Sequence, residues 1–454
     1  MSLTRITACL GLGLLAIPGC DAPDDEGELG FRAGARHKPA LYNTGSYNVH
    51  LERSLRFNPQ PPGSDADAGR ATFGVAADLE TQDDTSAIFE GDSPVAGHTV
   101  VSNGRVCFTC HRGASLDFGM PPPPVSDSIA LSDPLFTGID ADAQGDPDAM
   151  LNLDQLALFK IRPNRFNPTR SDSDPFRQVF GWRKSPALTN VGLAHGFLTD
   201  VRGRTMFETA RGAAFSHTQE TDERFDDLFS QQQGDDIGAF LFEQVSDPAL
   251  LALRDPGDPG HQALADDPFA TVPVSTPAQH RGQKVFEKYC YGACHNTPNV
   301  FNSLENVEAV GNGERPTSFA PQAPAIGKAY NVGISEANLN NLRFTRDNGD
   351  GTFTPIVLPL AAEDGALVEY EVAIDVGLAA TSGRYEDVGR FKVPALRNVA
   401  AHAPYMHDNS IDTLEGVVDY FCSDEYNDSK DGQLYPIDLN AQQRADLIAF
   451  LEIL

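Results

Sequence analysis

Two stretches of the 454-residue chain carry a helical stripe of apolar positions with readable ends. In the first, Thr276-Pro277-Ala278-Gln279 has the form of a capping box with proline at the first helical position. The run "AQHRGQKVFEKY" that follows puts Gly282, Val285, Phe286 and Tyr289 on one face. In the second, "LNAQQRADLIAFLEIL", Asn440 and Gln443 form a similar box, and Leu447, Ile448, Leu451 and Leu454 line a stripe beside Phe450. The pattern predicts two core-facing helices. Gly282, with no side chain, is placed to let a second backbone come close.

Between and before these helices the pattern breaks. Residues 54–69, "SLRFNPQPPGSDADAG", read as a Pro/Gly/Asp linker or loop, and "MPPPPVSD" at 120–127 interrupts regular structure. The stretch "DPGDPGHQALADDPFATVPV" at 255–274 reads as the main boundary between domains, and no internal repeat stands out. The opening "MSLTRITACLGLGLLAIPGC" has one basic residue, Arg5, and then an apolar run to Ile17. That run is too short to stay in a bilayer as a spanning helix and reads as a signal peptide over 1–19. Ile17-Pro18-Gly19-Cys20 resembles a bacterial lipoprotein cleavage box, which would leave Cys20 as the lipid-bearing first residue; an ordinary signal peptide cut nearby is the plainer alternative. The acidic "DAPDDEGELG" behind it suits a tether, so 20–64 is read as lipidated tether and linker. Either cleavage exports the chain to the periplasm or cell envelope.

About 435 residues then remain, enough for two or three domains. The formal net charge is −30, from 34 basic and 64 acidic side chains. This excludes nucleic acid and anionic lipid surfaces as natural partners, and it suits steering of a basic redox protein as well as plain solubility.

The cysteines change the picture most. "VCFTCHRG" at 106–113 holds Cys107, Cys110 and His111 in a C-x-x-C-H frame, in which two thiols can form thioethers to haem vinyl groups and the adjacent histidine can take iron. "KYCYGACHN" holds Cys290, Cys294 and His295 in the same order with one more residue between the thiols. A redox pair needs no such histidine, and a zinc site needs more ligands nearby. Two covalent haems c are therefore expected, His111 and His295 being iron ligands. Cys422 has no assigned role.

One further run resembles a known family. "GRFKVPALRNVAAHAPYMHDNSIDTLEGVVDYF", 389–421, is similar to a segment of the bacterial di-haem cytochrome c peroxidases and their MauG-like relatives, and "WRKSPALTNVGLAHGFLTDVRGRTMFE", 182–208, more loosely resembles their N-terminal domain. The resemblance implies a mainly α fold of two cytochrome c-like haem domains joined by a linker: an N-terminal catalytic domain over 65–270 and a C-terminal electron-transfer domain over 271–454. It implies that Arg397 and His407 lie around the second haem, that Glu220 (in "SHTQETD") is the catalytic glutamate and Arg397 a catalytic partner, and that Asn190 sits at a calcium site. It also implies a small redox protein such as a cytochrome c as electron donor, hydrogen peroxide as substrate, and a homodimer as a candidate assembly.

The departures from that family matter as much. The tryptophan between the haems falls at Thr199, so the usual aromatic bridge is missing, and Trp182 reads as core. The histidine that closes the resting catalytic haem falls near Phe180, which leaves that iron open. The distal slot of the second haem falls at Phe421, which cannot ligate, so Met406 or neighbouring Tyr420 becomes the candidate ligand. Methionine would raise the potential and tyrosinate lower it. Three readings follow: a peroxidase, an electron-relay cytochrome with both irons six-coordinate, and a MauG-like oxidase or oxygenase acting on an organic or protein substrate.

Overall fold

The computed structural model describes residues 60–82, 91–92, 99–100, 105–113, 119–136, 147–162, 175–194, 196–203, 205–217, 228–303 and 329–454. The signal peptide, Cys20 and Glu220 lie outside the described residues.

The helices used below are α1 (Ala66–Phe73), α2 (Cys107–Cys110), α3 (Met206–Ser216), α4 (Gln231–Phe242), α5 (Pro277–Phe286), α6 (Leu414–Phe421) and α7 (Ala441–Leu451). Strands occur among the described residues only as two-stranded antiparallel pairs. Those used below are β1 (Leu158–Ile161) with β2 (Gly181–Lys184), β3 (Ala329–Tyr330) with β6 (Phe391–Lys392), and the hairpin β4 (Val357–Ala361) with β5 (Leu367–Glu371).

Both capping boxes form. Thr276 caps α5 and Asn440 caps α7, each exchanging hydrogen bonds with the glutamine three residues on. The two helices cross at Gly282, where a Cβ would lie 1.9 Å from the Asp446 carbonyl oxygen and 2.8 Å from the Phe450 Cβ. Arg281 holds the crossing from outside by a bidentate pair to Asp446, at 2.7 and 2.8 Å. The first half of the chain repeats this device. Helix α1 crosses α4 at Gly69, 1.8 Å from the Asp236 carbonyl oxygen by the same measure, and the Asp236 carboxylate accepts the backbone N–H of Asp65, the cap of α1. Gly69→Ala and Gly282→Ala are each expected to destabilise by about 3 kcal/mol, since backbone cannot yield as a side-chain tip can. Denaturant midpoints of the purified variants check this.

Contrary to the expectation of no internal repeat, the repetition extends beyond the two cysteine boxes. "KSPALTNV" at 184–191 and "KVPALRNV" at 392–399 agree at six of eight positions, 208 residues apart. Their backbones agree more closely than their side chains. Asn190 and Asn398 both take left-handed φ, 66° and 60°, and each starts a short 3-10 turn, Val191–Leu193 and Val399–Ala401. Leu198 and Met406 follow at 68° and 71°, then Val201 and Asn409, both at 54°. The bridges Phe197–Gly203 and Tyr405–Ile411 close the two turns, and Thr205 and Thr413 cap the next helices, α3 and α6. One helix–turn–helix layout is thus built twice.

Each copy has its own core. Phe73, Phe108, Phe197, Phe215, Phe240 and Phe242 fill the first; Phe286, Phe301, Leu414, Val418, Leu447 and Phe450 fill the second. A third cluster gathers Phe180, Trp182 and Leu158 from the first half with Phe344, Leu358 and Val376 from the second. Trp182 is only 2% exposed, meets Phe180 edge-on at 5.8 Å, and its indole N–H donates to the Arg343 carbonyl, so it is a core residue as read.

Leu264, Phe269 and Val272, inside the 255–274 stretch, are buried in the second core together with Leu250 and Leu253. One expectation about segments changes: the 54–69 loop runs too far, because α1 already begins at Ala66.

Candidate haem-binding site

The two boxes are built alike despite their different lengths. In the first, the His111 amide donates to the Cys107 carbonyl at 3.0 Å, an ordinary four-residue turn. In the second, α5 passes into a π-helical turn, Glu287–Tyr291, and the His295 amide donates to the Cys290 carbonyl at 3.0 Å, five residues back. The wider turn absorbs the extra residue, so each histidine returns to the carbonyl of its first cysteine. A single inserted residue would otherwise rotate the second thiol away from the first.

Each histidine also meets the same part of the repeated segment. Ser185 Oγ lies 3.2 Å from His111 Nδ1 and 3.3 Å from Nε2. His295 Nδ1 sits 2.7 Å from the Phe301 carbonyl, and the Pro394 carbonyl is also within hydrogen-bonding reach of the ring. Donation from Nδ1 to Phe301 leaves the lone pair on Nε2, the nitrogen a metal would use. Burial pushes the His295 imidazole down to about 4, so it stays neutral and able to ligate.

The residues fit a covalent haem by their chemistry. Among the described residues the cysteines form no disulfide. Burial pushes the Cys107 and Cys290 thiols up to about 12, the reverse of what a redox pair needs. No group of three or more His, Cys, Asp or Glu among the described residues could hold a bare metal ion. Arg397, 6% exposed, forms a long ion pair with Asp247 through Nη2, at 3.9 Å, and keeps Nε and Nη1 buried without a hydrogen-bond partner among the described residues. It lines a cavity of about 480 Å³ with Ser246, Thr271 and Asn398. Two buried guanidinium nitrogens without an acceptor suit a further anion, and a haem propionate is such a carboxylate. This points to Arg397 as a binding group.

Other candidates take different parts. The Asn190 side chain is engaged with Ser246: Oδ1 accepts its backbone N–H at 2.9 Å and Nδ2 donates to its hydroxyl at 3.1 Å. That side chain clamps the loop to Ser246. Tyr420 donates its hydroxyl to the Val332 carbonyl at 2.8 Å, and burial pushes that hydroxyl well above its ordinary value. Met406 packs, partly buried, against the second core. Phe180 is stacked on Phe344 under the Lys160 ammonium. His407 stands at the junction of the two copies, lying flat on Phe391 with ring centroids 3.9 Å apart.

Sequence reasoning missed the residues of that junction. Arg183, fully buried, bonds Asp375 through Nε and Nη2 at 2.7 and 2.8 Å and Asp200 through Nη1 at 2.8 Å, while Arg202 joins Asp200. Burial alone would raise both carboxyls, yet the arginines hold them below the usual carboxylate range. Nothing short of tertiary contact could have paired residues so far apart in the chain.

Comparison with known proteins fits these boxes. The chain is 40% identical over 82 residues to cytochrome-c peroxidase IdrP1 of a Pseudomonas species, covering 18% of this chain and 22% of that protein. It is 38% identical over 65 residues to methylamine utilization protein MauG of Methylorubrum extorquens, covering 14% and 18%. It is a relative of the cytochrome-c peroxidases and MauG. A further match, 31% over 128 residues, is to cytochrome-c peroxidase IdrP2 of Denitromonas iodatirespirans, covering 28% of this chain and 32% of that one. The chain thus matches about a fifth to a third of the length of these relatives. No family model matches. Among solved structures, a MauG-like protein associated with microbial copper homeostasis has a TM-score of 0.36 at 20% identity, covering 64% of this chain and 84% of that one. The diheme peroxidase BthA of Burkholderia thailandensis has 0.38 at 16%, covering 87% and 86%. These scores are too low to equate single residues.

Proposed function

We propose that the chain is a two-haem c-type peroxidase of the periplasm or cell envelope, exported by its signal peptide and anchored through Cys20. Two haem domains, 65–270 and 271–454, would divide the work. The observation that carries this reading is the equivalence of the boxes: each histidine amide returns to the carbonyl of its first cysteine, and each ring meets the same turn of the repeated segment.

Cys107, Cys110 and His111 would hold one haem and Cys290, Cys294 and His295 the other. When bound, a haem supplies an iron that can take peroxide and pass single electrons. The repeat supports an unequal pair. At the same left-handed turn the second copy offers the Met406 thioether and the first only Leu198, while Phe180 is locked in the core. This favours an open site on the His111 side and a ligated one on the His295 side. Ser185 would orient His111, and Glu220 is the candidate to move a proton between the peroxide oxygens. Hydrogen peroxide then takes two electrons and two protons to give two waters, each electron coming from a small basic redox protein drawn to the acidic surface.

The test counts haem by pyridine haemochrome and then mixes the half-reduced protein with peroxide and reduced cytochrome c. Two haems per chain, a high-spin signal and donor oxidation are expected. Two low-spin haems with no peroxide-dependent oxidation in any redox state would leave only an electron relay.

A further inference from the structure

The two copies meet through reciprocal backbone hydrogen bonds. The Lys184 amide donates to the His407 carbonyl at 2.8 Å, and the Lys392 amide donates to the Thr199 carbonyl at 2.8 Å. Lys184 corresponds to Lys392 and Thr199 to His407 in the repeat, so the pair has the geometry of a pseudo-twofold axis. The side chains there break the symmetry. The first copy presents Arg183 and Thr199; the second presents Phe391 and His407, stacked at 3.9 Å with the planes 18° apart. The Arg183 guanidinium also lies over the Phe391 ring, 5.4 Å from its centroid.

This junction lies between the two haem-binding boxes. From His111 the contacts run to Ser185 Oγ, along one peptide to the Lys184 amide, and across the 2.8 Å hydrogen bond to His407. From there they run through the ring stack to Phe391 and along the chain to the Pro394 carbonyl, which reaches His295. We propose that the Phe391–His407 stack, entered through the Lys184 hydrogen bond, is the electronic bridge between the two haems, serving where Thr199 replaces the expected tryptophan. The inference rests on the two-haem reading. One electron leaves the iron at His295 and one arrives at the iron at His111; no bond forms or breaks, and His407 and Phe391 are neither oxidised nor reduced overall.

Spatial continuity alone does not establish coupling, so the experiment measures the transfer itself. In the half-reduced holoprotein, carbon monoxide photolysis starts inter-haem electron exchange, and its rate is followed optically with no peroxide present. His407→Ala and Phe391→Leu should each slow it at least about tenfold, some 1.4 kcal/mol on the barrier. His407→Phe, which keeps a ring, should stay near the wild-type rate. Reduction potentials and haem content are recorded for every variant, so that a misfolded or shifted protein is recognised. With two haems and unshifted potentials, an unchanged rate in both ring-removing variants overturns the bridge and leaves the proposed function standing. A wild-type protein with one haem, or with no exchange between two, overturns both.

Discussion

His111→Ala is expected to lower peroxide-dependent donor oxidation by at least about a hundredfold, the upper end of the loss seen for groups one layer out from a metal ligand. The thiols of Cys107 and Cys110 remain, so the haem count should stay at two while the spectrum of one haem alone changes. That split separates loss of a ligand from loss of attachment. Ser185→Ala, which removes only the hydroxyl 3.2 Å from the His111 ring, should cost about tenfold. Cys422→Ser, outside both boxes, should leave turnover as it is. Equal activity in His111→Ala and wild type would move the working iron to the other box.

The chemistry was legible because it is local. Two thiols and a histidine within six residues declare themselves in any fold, and the caps at Thr276 and Asn440 are likewise decided by residues three apart. Gly282 could be read as a close approach because a missing side chain has few other uses on an apolar helix face. The repeat was missed for a related reason. It lives in backbone angles at Asn190 and Asn398, Leu198 and Met406, where leucine and methionine share a φ that neither residue type signals. The hairpin β4–β5 was open to reading, since Asp364-Gly365 sits between the alternating runs "VLPLA" and "LVEYE". The packing of the 255–274 stretch was not legible, because proline, glycine and aspartate mark bends equally well in linkers and in packed loops, and the burial of Leu264 and Phe269 is a property of the partner surface.

Arg183→Met should destabilise the folded protein by about 3–5 kcal/mol at neutral pH, the cost of stranding buried carboxylates. Asp375 loses its bidentate partner, and Asp200 keeps only Arg202. The sign of the pH dependence distinguishes this from simple loss of packing. In the wild type, both carboxyls titrate below the ordinary 3.8, so their stabilisation is present above that value and fades as pH falls through their lowered range. In Arg183→Met, burial without the guanidinium raises Asp375 instead, so its penalty applies above its ordinary value and shrinks as the carboxyl takes a proton. The gap between variant and wild type should therefore narrow toward pH 4. Arg183→Met combined with Asp375→Asn should regain part of the loss at pH 7, because the uncompensated charge is gone. Arg183 also covers Phe391, and β2 ends one residue on at Lys184, whose amide reaches His407. The single variant should then slow inter-haem exchange as well, and the charge-relieved double variant should recover stability more fully than it recovers that rate. Recovery of both together would assign Arg183 to the fold alone.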